Sequence, residues 1–445
     1  MKKEDEILEK EIKSFMNEFM KKSENQEVNI ISHFDTDGIT SASIMIQTLK
    51  KLDKKFSLKI VKSLNEDIIN QLPKEKLTLF LDLASGSINQ IKKANITNVF
   101  IIDHHEINQE VPENIKIINP FLTNKQKISG SGLTYLCCKE INPEIKNLSK
   151  LAILGMIGDC LEKEIDSLNN GILDESGIQR KRGLLIYPST RPINRVLEYS
   201  SNPYIPEVTG NLKGVLELLR ESGLSPEKGK YKSLIELDEK EMKDLTTAIL
   251  LRNPKIKNKE LIGDIFLIKM YNKIEDARDL SAIINACSRS GRPELAVQYC
   301  LEIPSAKKNA ELAHIRYKQN LISGLNFVSE TEKIEGKGFV IINAKDNIKD
   351  TMIGTIASIL SNSSVYEDGT IITTMAYSED KIKISSRTVG RNGRNLKELL
   401  ENITNSIGGE IGGHEHAAGC IISRKKEKEF IDLFKKNLEI EMIKI

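Results

Sequence analysis

The stretch His33-Phe34-Asp35-Thr36-Asp37-Gly38 crowds an imidazole and two carboxylates together. It follows an apolar run, Val28 to Ile31, that reads as a buried strand, and precedes Ile39 to Leu49, which reads as a helix. In an open α/β sheet, ligands bind at the edge where strands hand over to helices. Alternation along an extended backbone would put positions 33, 35 and 37 on one side. Left bare there, the groups would repel each other, and a divalent cation resolves that repulsion. The competing structural reading is a capping cluster, with Asp37 as N-cap of the next helix.

Two more strand ends repeat the pattern. Leu77 to Leu81 precedes Asp82, and Asn98 to Ile102 precedes Asp103-His104-His105. A fourth apolar element, Leu151 to Gly158, precedes Asp159. A core has no use for charged groups directly after apolar segments. Of the six histidines, His33, His104, His105, His414 and His416 fall in or beside such clusters. His314 lies in ordinary helical sequence and reads as a surface or satisfied side chain.

The candidate ligands are therefore His33, Asp35, Asp37, Asp82, His104 and Asp159. Carboxylate mixed with imidazole suits Mn²⁺ or Mg²⁺, with Zn²⁺ a further option. Six ligands exceed what one open catalytic ion takes, and fit two ions ~3.5–4 Å apart sharing one carboxylate. Asp82 is the expected bridge, because it stands alone after a middle strand. Asp103 is expected to orient an imidazole from behind, which leaves His105 to face substrate. Such a site activates water at neutral pH and stabilises a pentavalent phosphorus, so the expected reaction class is phosphoester hydrolysis.

Residues 4 to 22 read as an amphipathic, charge-rich helix. The pattern then alternates: strand 28–33, helix 38–52, strand 57–62, helix 66–72, strand 77–82, helix 86–94, strand 98–103. That predicts βαβ units and a parallel sheet. Ser129-Gly130-Ser131-Gly132 opens a helix over Leu133 to Glu140; this turn either binds phosphate through backbone N–H groups or is only tight. Asn147 to Leu161 reads as a helix carrying Asp159, and Asp166 to Pro192 as irregular. Helical patterns follow, over Leu212 to Glu221 and Asp238 to Arg252, then Ala282 to Cys300 with the run Asn285-Ala286-Cys287. The arginines at 289 and 292 either contact phosphate or sit in an ordinary helix connection. Ser305 to Ile322 reads as a charged connecting helix.

A last domain starts near Gly336, with strand Gly338 to Asn343, helix Thr351 to Leu360, a hairpin of Thr370 to Tyr377 and Lys381 to Ser386, and helix Asn395 to Ile407. The glycine-rich loop Gly408 to Gly419 permits close backbone approach to a ligand, and Arg387 at a strand end can pair with phosphate.

The chain has 445 residues, enough for two or three domains. Its formal net charge of +2 excludes a strongly basic nucleic-acid coat, though not a local basic groove. Aromatics make up 5% with no Trp, so base-stacking platforms are few and backbone contacts must carry any nucleic-acid affinity, with steep salt dependence. The six cysteines form no C-x-x-C pair, which argues against a zinc ribbon or redox motif. No apolar run spans a bilayer and no apolar segment backs the charged N-terminus, so a soluble, cytoplasmic protein with reduced thiols is expected.

These motifs resemble those of the DHH superfamily of phosphoesterases. The matching residues are His33-Phe-Asp35-Thr-Asp37-Gly38, Asp82, Asp103-His104-His105 and Gly158-Asp159, with Gly412-Gly413-His414-Glu-His-Ala417-Ala418-Gly419 matching the associated C-terminal domain. The long middle insertion and Asn285-Ala286-Cys287 are similar to the archaeal RecJ-like branch. The resemblance implies an α/β architecture: a parallel-sheet catalytic domain with a two-metal site (1–164), a mostly helical insertion and connector (165–330) and a smaller α/β substrate-binding domain (331–445). It implies metal binding by His33, Asp35, Asp37, Asp82, His104 and Asp159, catalytic roles for His105 and Asp103, and substrate binding by Arg387, Ser386, Gly412, Gly413 and His414. The implied activity is a single-strand exonuclease using two Mn²⁺ or Mg²⁺ ions, 5′→3′, on DNA or RNA, releasing 5′-mononucleotides. The alternatives are an oligoribonucleotide or cyclic-dinucleotide phosphodiesterase, a 3′→5′ exonuclease, or a replisome subunit associated with the GINS complex. Bacterial RecJ carries aspartate where this chain has His33, and its OB-fold has no clear counterpart here.

Overall fold

The computed structural model describes residues 3–440, apart from 108, 124, 125, 201, 202, 204, 255–260, 364 and 391. The chain forms two compact units: Met1–Thr190 with Gly263–Ile315, and Arg191–Ile262 with Arg316–Ile445.

The first unit opens with α1 (Lys3–Lys22), β1 (Val28–His33), α2 (Thr36–Lys51), β2 (Phe56–Val61), α3 (Glu66–Asn70), β3 (Leu77–Leu81), α4 (Ile88–Lys93), β4 (Val99–Ile102) and β5 (Ile115–Ile118). The five strands are parallel, in the order β2-β1-β3-β4-β5. Every residue of β3 and β4 is buried, as continuous apolar runs must be when both faces of a parallel sheet are covered. Ile30, Leu79, Leu81 and Phe100 pack with α1 and α2, whereas Ile31, Phe80 and Ile101 pack against Ile69, Ile88 and Ile91 of α3 and α4. This is the period of two that sends neighbouring side chains to opposite faces. Phe15 and Phe19 of α1 meet Phe100 edge-on, at centroid distances of 5.2 and 5.4 Å. Register aligns Ser32 with Leu81 and Leu81 with Ile102. The next residues, His33, Asp82 and Asp103, thus form one row at the carboxyl edge of three adjacent strands.

The chain continues through α5 (Gly130–Ile141), α6 (Ser149–Gly158), α7 (Ser167–Ser176) and β6 (Gln179–Leu184), then α8 (Ile193–Glu198), α9 (Leu212–Glu221) and α10 (Glu239–Arg252) of the second unit. It returns with β7 (Ile262–Met270), β8 (Lys273–Asp276), α11 (Ala277–Arg289) and α12 (Pro293–Cys300), and leaves along α13 (Pro304–Glu330). Two features differ from the sequence expectation. The stretch read as irregular, Asp166 to Pro192, holds α7 and β6. Asp166 caps α7 by accepting the Asn169 N–H at 2.9 Å, and Gly177 ends it at φ +61°. The Asp and Gly that read as loop residues are the ends of a helix. The stretch between Arg252 and Ala282, given no element of its own within the mostly helical insertion, holds β7 and β8, which join β6 in a three-stranded sheet. Ile265 to Ile268 are all buried, and such a short apolar run does not by itself distinguish a strand from a buried helix.

In the second unit, β9 (Ile334–Gly336), β10 (Phe339–Asn343), α14 (Asp350–Ser361), β11 (Ile371–Ser378), β12 (Lys381–Thr388), α15 (Leu396–Ile407), β13 (Glu410–His414), β14 (Ala417–Ser423) and α16 (Glu427–Ile440) follow. The sheet order is β13-β14-β12-β11-β10-β9, and only β10 and β11 pair in parallel. Leu400 and Ile403 of α15 and Phe430 and Phe434 of α16 cluster with Ile382 and Ile384; Ile353 and Ile356 of α14 cluster with Ile342 and Ile372. The glycine-rich stretch expected as a loop is instead mostly paired strand. A Cβ at Gly413, where φ is +126°, would lie 2.4 Å from the Ala417 carbonyl oxygen, so glycine lets β13 close onto β14. Among the described residues no helix is long and apolar enough to cross a membrane.

Candidate metal centre

Each side chain at the carboxyl edge of the first sheet is placed by its own local structure. His33 is the last residue of β1, and its Nδ1 lies 3.0 Å from Asp35 Oδ2 and 3.5 Å from Asp82 Oδ2. Asp35, not Asp37, is the N-cap of α2: its Oδ1 accepts the Gly38 N–H at 3.1 Å, leaving Oδ2 toward His33. Asp37 lies in the first turn of α2, fully buried. Both of its oxygens are held by the amino end of α5, Oδ2 by the Gly130 N–H at 2.6 Å and Oδ1 by the Ser131 N–H at 3.0 Å. The turn that could have bound a substrate phosphate is therefore occupied by a carboxylate of the protein, which the helix dipole favours.

Asp82 follows β3 in a left-handed conformation, φ +57°. It is 1% exposed, and neither carboxylate oxygen receives an aligned hydrogen bond from any described residue. His104 Nε2 lies 3.2 Å from Asp82 Oδ1, 3.2 Å from Asp159 Oδ2 and 3.7 Å from Asp37 Oδ2. Asp159 is the C-cap residue of α6. Three sets of potential ligand atoms result: His33, Asp35 and Asp82; Asp37, His104 and Asp159; and Asp82, His104 and His105. All six expected ligands are brought together, but not as alternation predicted. The chain turns into α2 at Thr36, so Asp35 and Asp37 fall into different sets.

Asp103 plays a separate part. Its Oδ1 accepts the His104 N–H at 2.8 Å and lies 2.7 Å from His105 Nδ1, while Oδ2 accepts the Ser85 N–H at 2.9 Å. Asn119 donates to the His105 carbonyl at 2.8 Å and to Ser85 Oγ at 2.9 Å, closing the loop. His105 is 52% exposed.

The buried carboxylates and imidazoles shift one another's protonation strongly. Burial pushes the Asp82 carboxyl well above its ordinary range, and the charges of Asp37 and Asp35 push it further. Asp159 is raised by burial and by Asp37. Burial opposes protonation of His33, but the Asp35 and Asp82 carboxylates outweigh it and push the imidazole up to about 11. Burial would raise Asp35, yet His33 holds it down at about 2. Without a metal, protons must therefore occupy this cluster. A buried carboxylate with no aligned donor, between imidazoles and two other carboxylates, is a donor set that divalent cations fit.

A pH dependence follows. The stabilisation from His33 is complete below its ordinary 6.5 and is lost as pH rises toward about 11. Asp82 and Asp159, raised when folded, act in the same sense: above the ordinary carboxylate range the unfolded chain has already released protons that the folded chain must still give up. Asp35 acts oppositely, with stability lost only as pH falls from 3.8 toward about 2. Metal-free protein should thus lose urea resistance as pH rises from about 6.5 toward about 11, and Mn²⁺ should flatten that decline. Urea midpoints with and without Mn²⁺ check both.

The other expected site residues lie in the second unit, again in adjacent rows. Pairing of β12, β14 and β13 places Ser386, Ala418 and Gly413 in one row and Arg387, Ala417 and His414 in the next. Gly412 pairs with Gly419. Gly412, Gly413 and His414 are exposed. Ser386 is buried, its Oγ 2.8 Å from Thr373 Oγ1. Arg387 donates from Nε to Ser358 Oγ at 3.0 Å and from Nη1 to the Ser386 carbonyl at 2.8 Å.

Sequence reasoning missed the supports: Gly130 and Ser131 as the clamp on Asp37, Asn119 behind the histidines, and Gly155. A Cβ at Gly155 would lie 2.2 Å from Asp37 Oδ1 and 1.9 Å from Ser131 Oγ. A glycine inside an apolar helix was the available signal for that close approach.

Comparison with known proteins gives three successive family matches: the DHH family, N-terminal domain, over residues 27–158; the DHH-CID domain over 186–259; and the DHHA1 domain over 336–439. The chain is 32% identical over 429 residues to an uncharacterized protein of Methanocaldococcus jannaschii, covering 91% of each. It is 25% identical over 175 residues to the single-stranded-DNA-specific exonuclease RecJ of Bacillus subtilis, covering 36% of this chain but 22% of that protein. Among solved structures, it is similar in fold to RecJ in complex with Mn²⁺ from Thermus thermophilus, with TM-score 0.60 and 16% identity, over 97% of this chain and 54% of that one. It is likewise similar to CDC45 from Entamoeba histolytica, with TM-score 0.70 and 11% identity, over 96% of this chain and 98% of that one.

Proposed function

The chain belongs to the DHH family, and on that premise we propose that it is a divalent-metal-dependent phosphodiesterase, a single-strand exonuclease that degrades DNA or RNA from the 5′ end and releases 5′-mononucleotides. The observation that carries this reading is Asp82, a fully buried carboxylate shared between two ligand sets, with no aligned hydrogen bond to either oxygen. His33, Asp35 and Asp82 would hold one Mn²⁺ or Mg²⁺, and Asp37, His104 and Asp159 would hold a second. Such ions polarise a phosphoryl oxygen and lower the pKa of water. The similarity to the Bacillus RecJ exonuclease and the shared fold with Mn²⁺-bound RecJ support the substrate class and the metals.

The protein's own groups then do the rest. His105, braced at Nδ1 by Asp103, turns Nε2 outward to a phosphoryl oxygen. The Asp103 contact raises the pKa of the imidazole above its ordinary value. Arg387, Gly412, Gly413 and His414 would grip the phosphate and nucleotide of the substrate, whereas Ser386, expected with them, is fully buried against Thr373 and would not touch it. Asp103→Asn keeps the shape and removes the charge; it should lower kcat by about tenfold to a hundredfold while leaving Mn²⁺ affinity unchanged, checked by parallel kinetics and metal titration.

The fold shared with CDC45 supports a second role for the segment between the two αβ domains, as a docking face for a protein assembly such as GINS. The deciding experiment offers single strands labelled at the 5′ or the 3′ end, as DNA and as RNA, with Mn²⁺ and an Asp82→Ala control. Immediate release of labelled mononucleotide from the 5′ label is the expected result. Release from the 3′ label would reverse the polarity, and cleavage of di- or trinucleotides or cyclic dinucleotides alone would replace the substrate. Absence of any Asp82-dependent cleavage would refute the enzymatic reading.

A further inference from the structure

The peptide that joins Asp35 to Thr36 is held from a helix 249 residues away. The Thr36 N–H donates to Asn285 Oδ1 of α11 at 3.1 Å. The Thr36 hydroxyl donates to the Ser281 carbonyl at 3.0 Å, and Ser281 Oγ lies 3.3 Å from the same hydroxyl. Thr36 is the first residue of α2, so its N–H has no partner within that helix. At 1% exposure water does not reach it readily either. Asp35, the N-cap, gives its Oδ1 to Gly38 and leaves the Thr36 N–H to another group. From the third side, the end of α6 presses in: a Cβ at Gly158 would lie 2.8 Å from Thr36 Cβ.

We propose that Asn285 is a positioning residue for the Asp35 ligand, fixing the Asp35–Thr36 peptide plane and thereby one of the two metal subsites selectively. This rests on the metal-site reading above. Selectivity follows from how the two carboxylates are braced. Asp37 has a clamp of its own, two N–H groups of α5, and does not depend on Asn285. Asp35 is braced by the Gly38 N–H and the His33 imidazole, and the peptide that follows it is held at both ends, its carbonyl by the Ile39 N–H at 2.9 Å within α2 and its Thr36 N–H by Asn285. Loss of the Asn285 carbonyl therefore loosens the set His33, Asp35 and Asp82 and spares the set Asp37, His104 and Asp159.

The test is Mn²⁺ titration of the metal-free, full-length chain by calorimetry, for wild type, Asn285→Ala and Asn285→Asp. Asn285→Ala should weaken one of two binding events by about tenfold or more and leave the other within about twofold. Asn285→Asp, which keeps an acceptor oxygen in place, should restore most of the loss. In a double-mutant cycle, Asn285→Ala should add little to Asp35→Ala but its full effect to Asp37→Ala. Thermal melts of the metal-free variants control for folding. Equal weakening of both events, or no restoration by aspartate, would mean a general structural role and overturn the inference. Wild-type affinities in Asn285→Ala would overturn it while leaving the metal site intact. A wild-type chain that bound no Mn²⁺ would overturn the metal-site reading and this inference with it.

Discussion

Replacing Asp82 with asparagine is expected to lower phosphodiester hydrolysis about a thousandfold or more, a loss of about 4 kcal/mol of transition-state stabilisation. The same change is expected to make the metal-free fold more resistant to urea. Both effects come from one arrangement. Asp82 is 1% exposed, 3.5 Å from His33 and 3.2 Å from His104, and belongs to two of the three ligand sets. Removing its charge takes a ligand from the set with His33 and Asp35 and from the set with His104 and His105 at once. Without metal, however, that charge is a liability: burial and the neighbouring Asp37 and Asp35 carboxylates disfavour ionisation by more than the His33 imidazole favours it. Asparagine matches the shape and tolerates the left-handed backbone at this position, so the comparison isolates charge. A variant that lost activity and stability together would point to a folding defect. Retained activity would remove Asp82 from the site.

Gly155→Ala carries the second large effect. Alanine is the better helix former by roughly 1 kcal/mol, so α6 alone would gain from it. The site cannot accept it. The new methyl would sit 1.9 Å from Ser131 Oγ and 2.2 Å from Asp37 Oδ1, closer than atoms pack. Either α6 moves away from α5, or Asp37 leaves the amide groups that hold it. Overpacking of this kind costs about 1–3 kcal/mol, and the displaced Asp37 should also weaken Mn²⁺ binding at the set with His104 and Asp159. Gly171→Ala, in α7 with nothing near its would-be Cβ, is the control and should stabilise slightly. Urea midpoints with and without Mn²⁺ separate the two. If Gly155→Ala matched its control in both, the packing account of Asp37 would be wrong.

Much of this centre is written in local sequence. His33, Asp82 and Asp103 each follow an apolar run, and a charged residue in that position has to lie at a strand end. Parallel register then sets them in one row. The partition of the ligands was not legible. Alternation placed positions 33, 35 and 37 on one side, but alternation holds only while the backbone stays extended, and the chain enters α2 at Thr36. The braces were less legible still, because they come from far along the chain: Gly130 and Ser131 for Asp37, Asn285 for the peptide after Asp35. The run Asn285-Ala286-Cys287 stands out by resemblance, but nothing local to it says that Asn285 reaches the Thr36 N–H. The same limit explains α7 and β7. Capping residues at Asp166 and Gly177 resemble a loop until a helix lies between them, and a short buried apolar run fits either element.

The measurement that bears most directly on the account counts Mn²⁺ ions bound by the metal-free chain at neutral pH, by calorimetry with electron paramagnetic resonance, beside Asp82→Asn. Two ions per wild-type chain, both strongly weakened in the variant, is the predicted result. A wild-type chain that holds a single ion or none, or a variant that binds two as tightly, would contradict a shared carboxylate between paired metals.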